Sequence, residues 1–147
     1  MNAKKILFPT DFSTSSDAGL RHATALARES GAMLLIVHVE EAPIAYGGGE
    51  MYYGLPNPDH AAIREMLQAV TPTSPGVSYE HRLIVGDPAA EIVRLAGQEG
   101  VDLIVMGTHG RTGLKRMLMG SVAEAVVRRA SCPVLTFKES VPAPATA

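Results

Sequence analysis

Residues 107–121 read GTHGRTGLKRMLMGS, with four glycines and three cations between an apolar run and a helix start. Glycine admits positive φ and lets backbone N–H groups approach an anion with no Cβ in the way. Gly120 and Ser121 open the helix, whose unpaired N–H groups and positive dipole end suit a phosphate. Arg111, Lys115 and Arg116 can offset part of a polyphosphate's charge. The segment therefore has the chemistry of a phosphate cradle. It is neither of the two standard ones: Gly113-Leu114-Lys115 does not supply a P-loop, and Thr10 to Thr14 stands where a dinucleotide fingerprint would need its glycines.

The same residues have plainer uses. Ser121 and Glu124 have the S-x-x-E spacing of a capping box, which by itself accounts for both. Asp11 can close an Asx-turn or cap a helix, or it can reach ribose hydroxyls beyond a first strand. His109 has no carboxylate close in sequence to orient it, so no catalytic residue is assigned. His38 lies in an apolar run and reads as a hydrogen-bonded core residue. The five histidines show no HxxxH-type spacing, so no metal site is expected.

The elements that must position these residues alternate along the chain. Short apolar runs at 5–9, 32–39, 77–85, 102–106 and 133–137 read as strands. Between them, helical patterns run at about 15–29, 58–70, 88–99 and 121–130. Gly31 and Gly100 are placed to end two of these helices, and Asp87-Pro88 is an N-cap followed by proline at the first helical position. Strands separated by helices run parallel with right-handed crossovers. The expected fold is thus a single α/β domain, a doubly wound five-stranded parallel sheet with helices on both faces. In such sheets ligands sit at the carboxyl ends of the strands, which points to the loops after Pro9, Val39 and Met106. Residues 1–139 form the expected nucleotide-binding domain, and 140–147 a flexible Pro/Ala-rich tail.

Gly107-x2-Gly110-x9-Gly120-Ser121 resembles the G-x2-G-x9-G-[S/T] signature of the ATP-binding branch of the universal stress protein family. Ile6 to Asp11, Val37-His38-Val39, Asp102 to Gly107 and Ser131 to Val134 match in the expected order, so the resemblance covers about residues 3–138. It implies a strand order of 3-2-1-4-5, ATP as ligand, and a homodimer formed through the last strand, Val134 to Phe137. It also implies that Pro9, Thr10, Asp11 and Val39 border the adenosine, while Met106, Gly107, Gly110, Gly120, Ser121 and Val122 line the phosphate side; Arg111 joins these nucleotide-binding residues as a cation on its own chemistry. The role implied is an ATP-binding regulator of the stress response. A slow ATPase or phosphotransferase using magnesium, with Lys115 or Arg111 on the transferred group, and a dimeric interaction protein without nucleotide function are the alternatives.

Composition narrows the partners. The chain has 147 residues, 46% of them apolar, and 13 Lys+Arg against 15 Asp+Glu. That near balance gives no bulk attraction to nucleic acid or membrane, and the basic residues of the glycine-rich segment and of Arg128-Arg129 lack neighbouring aromatics for base stacking. Cys132 is the single cysteine, so no intrachain disulfide forms. With no signal-peptide pattern and no run long enough to span a bilayer, a cytoplasmic location is expected. Three of the four tyrosines, Tyr46, Tyr52 and Tyr53, lie with Gly47 to Gly49 in the segment after the second strand. That segment reads equally as a lid, a partner surface or a disordered insert.

Overall fold

The computed structural model describes residues 2–41, 60–108 and 120–138. The tyrosine and glycine segment, the residues 109–119 that include Gly110 and Arg111, and the 140–147 tail lie outside these. The described elements are β1 (Lys5–Pro9), α1 (Thr14–Ser30), β2 (Met33–Glu40), α2 (His60–Gln68), β3 (Tyr79–Val85), α3 (Pro88–Gln98), β4 (Leu103–Gly107), α4 (Ser121–Arg129) and β5 (Val134–Phe137). They form one five-stranded sheet in the order β3-β2-β1-β4-β5, and every pairing is parallel, as expected.

The central strands are apolar at nearly every position because both of their faces are covered. Alternate residues feed two separate cores. Ile6, Phe8, Leu34, Ile36, Leu103 and Val105 pack with Leu20, Ala23 and Ala27 of α1 and Leu67 of α2. Leu7, Leu35, Val37, Ile104 and Met106 pack with Ile92, Leu95 and Ala96 of α3 and Ala123 and Val126 of α4. Helices thus lie two on each face.

Local chemistry sets the helix ends. Ser13 is the N-cap of α1, its side chain accepting from the Ser16 N–H, and Gly31 closes the helix at φ 71°. Asp87 caps α3 through the Ala90 N–H at 2.9 Å, with Pro88 in the first turn. Gly100 follows α3 at φ 63°, one residue beyond the C-cap Glu99. At the opposite edge of the sheet from the strand carboxyl ends, Asp102 accepts from the backbone N–H groups of Lys4 and Lys5 at 2.8 and 3.0 Å. Those bonds hold its carboxyl below the usual value and tie the start of β1 to β4.

Gly19 shows how closely α1 approaches the sheet. A Cβ there would sit 2.1 Å from Cζ of Phe137 and 2.9 Å from Cε1 of Phe8. Gly19→Ala gains about 0.5–1 kcal/mol of helix propensity but overpacks this contact by about 1–3 kcal/mol. The expected net result is destabilisation, read as a lower urea midpoint. The loss should shrink in a Phe137→Leu background, where the obstructing ring is gone.

Candidate functional site

Parallel pairing sends the carboxyl ends of all five strands to one edge. The order places β1 between β2 and β4, and the chain leaves β1 for α1 and β4 for α4, helices on opposite faces. The loops diverge there and a crevice opens between them. It is a cleft of about 570 Å³, within the range of small-molecule sites. Pro9, Thr10, Asp11, Val39, Met106, Gly107, Gly120, Ser121 and Val122 all line it. Gly110 and Arg111, the other two expected ligand contacts, fall outside the described residues.

The β1 side of the cleft is a stiff turn. Thr10 is buried; its N–H donates to the Val37 carbonyl at 2.8 Å, and its own carbonyl accepts from His38 Nδ1 at 2.8 Å. Asp11 Oδ1 accepts from the Ser13 N–H at 3.0 Å and from the Ser16 hydroxyl at 2.7 Å. Asp11 therefore closes an Asx-turn while also lining the cleft. Phe12 follows at φ 65°, unusual for a bulky residue, with its ring 4.4 Å from that of His38. His38 is the buried, hydrogen-bonded residue its apolar setting predicts, and it also forms part of the cleft wall.

On the β4 side, the Thr108 N–H donates to the Phe137 carbonyl at 3.0 Å, and the Thr108 carbonyl accepts from the Gly120 N–H. These bonds hold Thr108 and Gly120 together beside the cleft. Gly120 is the N-cap of α4 at φ −68°, ψ 163°, and among the described residues no side chain caps the helix. The S-x-x-E reading is corrected here. Ser121 is the first helical residue rather than the cap, and Glu124 pairs instead with Arg128. Because glycine occupies the cap, the first N–H groups of α4 keep their partial positive charge at the cleft, unmatched by a capping side chain.

Reading the sequence alone misses several residues of the wall. Glu40, Glu41, Ile63, Pro88, Ile92 and Thr108 also line the cleft. Ile63, Pro88 and Ile92 carry no local signal beyond helix amphipathicity; only packing brings them there. Glu40 did carry one, a carboxylate closing the otherwise apolar run MLLIVHVE. Cys132 lies just before β5, at the far end of that strand, and burial pushes its thiol up.

The sequence pattern of the universal stress protein family matches residues 2–138. The chain belongs to the universal stress protein family. Its relatives in the family include Universal stress protein MJ0531 of Methanocaldococcus jannaschii, 39% identical over 92% of this chain and 82% of that protein. Among solved members, protein MJ0577 of the same organism superposes with a TM-score of 0.71 at 28% identity, covering 96% of this chain and 99% of that one. A universal stress protein in complex with cAMP gives 0.67 at 26% identity, over 95% of this chain and 100% of that one. A member from Archaeoglobus fulgidus in complex with dAMP gives 0.62 at 25% identity, over 92% and 98%.

The absent side-chain cap has a measurable consequence for this family member. Ser121→Ala should change unfolding stability by less than about 0.5 kcal/mol in a urea titration. A functioning capping box would make the same change cost about 1 kcal/mol.

Proposed function

We propose that the chain binds an adenine nucleotide, ATP, in the cleft at the carboxyl ends of β1, β2 and β4, and acts as a nucleotide-dependent regulator. The observation that carries the reading is the N-terminus of α4. It opens on the cleft through a glycine cap, so no N-cap side chain competes with a phosphate for its N–H groups. Gly107 and Gly120 flank the phosphate side, Ser121 and Val122 contribute the first turn, and Arg111 supplies compensating charge. Pro9, Thr10, Asp11 and Val39 border the adenosine. Two family members hold the adenine nucleotides cAMP and dAMP, which supports the ligand class. Magnesium would arrive on the nucleotide's own phosphate oxygens, since Asp11 already spends one carboxylate oxygen on its turn.

The regulator works as a homodimer joined along β5. That strand ends the sheet order, and Leu135 upon it is 43% exposed. An apolar edge of this kind is stabilised by pairing with its copy.

Calorimetric titration of ATP, with and without magnesium, tests the binding. Saturable micromolar affinity is the expected result. Gly120→Asp is the informative variant, because its cap φ and ψ suit any residue and aspartate is a strong N-cap. Thermal stability should hold or rise slightly, while the new carboxylate occupies the helix end and weakens ATP binding about ten-fold or more. Unchanged ATP affinity in a folded Gly120→Asp protein would remove α4 from the site.

A further inference from the structure

Glu40 ends β2 and is only 7% exposed, yet it is a carboxylate in the cleft wall. Its Oε2 accepts from Nδ1 of His60, the first residue of α2, at 2.8 Å. Its Oε1 is buried with no hydrogen-bond partner, and among the described residues it is the one buried side-chain polar atom in that condition. Buried acceptors are nearly always paired, because an unmade bond in a low-dielectric setting is unfavourable. A residue that keeps such an atom beside a ligand cleft is arranged for a donor that the protein itself does not supply.

The rest of the cleft says which donor. Its α4 end offers N–H groups and favours an anion. The β2 end offers Glu40 and Glu41 and favours an N–H. Strands β2 and β4 are separated by β1, so the two ends lie roughly two inter-strand spacings apart, about 10 Å. A matching ligand carries phosphate at one end and an amino group at the other. His60 narrows the choice further. A carboxylate with both oxygens open forms a fork suited to the adjacent N1–H and 2-amino donors of guanine. With Oε2 committed to His60, Glu40 presents one acceptor, which matches the single 6-amino group of adenine.

We propose that Glu40 is the base-selecting residue of the cleft: Oε1 accepts a hydrogen bond from the adenine 6-amino group and disfavours 6-oxo purines, whose oxygen would face the carboxylate. The assignment rests on the adenine-nucleotide reading above and adds to it a residue that sets specificity.

Competitive titration of the full chain with ATP, ITP and purine riboside triphosphate tests it, because the three share sugar and phosphates and differ at the base. The wild-type chain should prefer ATP by about ten-fold or more over both analogues, since the analogues leave Oε1 unpaired or repelled. Glu40→Leu should lower ATP affinity to near that of purine riboside triphosphate, raise ITP affinity as the repulsion is removed, and leave purine riboside triphosphate within about two-fold, which also reports a folded cleft. Glu40→Gln, nearly isosteric and the variant to read if the leucine form does not fold, should narrow the ATP-to-ITP ratio, because its amide can donate to a 6-oxo group. A wild-type chain that binds ATP without discriminating among the three overturns the role of Glu40 alone. So does a preference that survives both substitutions. Absence of any ATP binding to the folded wild-type chain overturns the nucleotide reading itself.

Discussion

Parallel strand pairing is the constraint on which the rest of the molecule depends. Strands that all run one way cannot be joined by tight turns, so each connection must cross back over a face of the sheet. The crossovers bury both faces, which is why β1, β2 and β4 are apolar along almost their full length. The same geometry gathers every strand's carboxyl end, and the start of every following helix, at one edge. A crevice there needs no special loop to create it; it follows from β1 lying between neighbours whose connections depart to opposite sides.

Within that crevice, stiffness is built by backbone bonds between elements far apart in the chain. Thr10 bonds to β2 through its N–H and receives His38 at its carbonyl. Thr108 is held by Phe137 on one side and Gly120 on the other. Both threonines are buried, so these bonds are shielded from competing water. The strained φ of Phe12 is tolerated because the Asx-turn at Asp11 and the ring of His38 hold it from both sides. The outcome is a rigid rim whose two ends differ in charge preference, donors at α4 and acceptors at the end of β2.

Three of the helices that begin near the cleft, α1, α3 and α4, show how a small sequence difference changes what a helix start presents. Ser13 and Asp87 spend their side chains on the N–H groups of α1 and α3. Gly120 has no side chain to spend, and α4 alone of the three presents its first turn with no side-chain cap among the described residues. Helix stability is slightly lower for it, by a few tenths of a kcal/mol relative to a capped start. The gain is a donor array left facing the cleft.

Much of this was legible in the chain itself. Strand and helix alternation follows from hydrophobic period, and the ends at Gly31, Asp87 and Pro88 follow from backbone preferences that act within a few residues. The glycine spacing around Gly107 and Gly120 is local for the same reason, and it directs attention to the edge of the sheet where the cleft lies. Element bounds moved by a residue or two: β3 begins at Tyr79 rather than 77, and β4 extends to Gly107. Ser121 was the instructive case, since S-x-x-E spacing cannot tell an N-cap from a first helical residue; that depends on where the backbone turns. The wall contributed by Ile63, Pro88 and Ile92, and the meeting of Glu40 with His60, join segments far apart in sequence. Local preference fixes what each segment becomes. Which side chains share a cavity, and which buried oxygen is left without a donor, is decided only when the two cores close on the sheet.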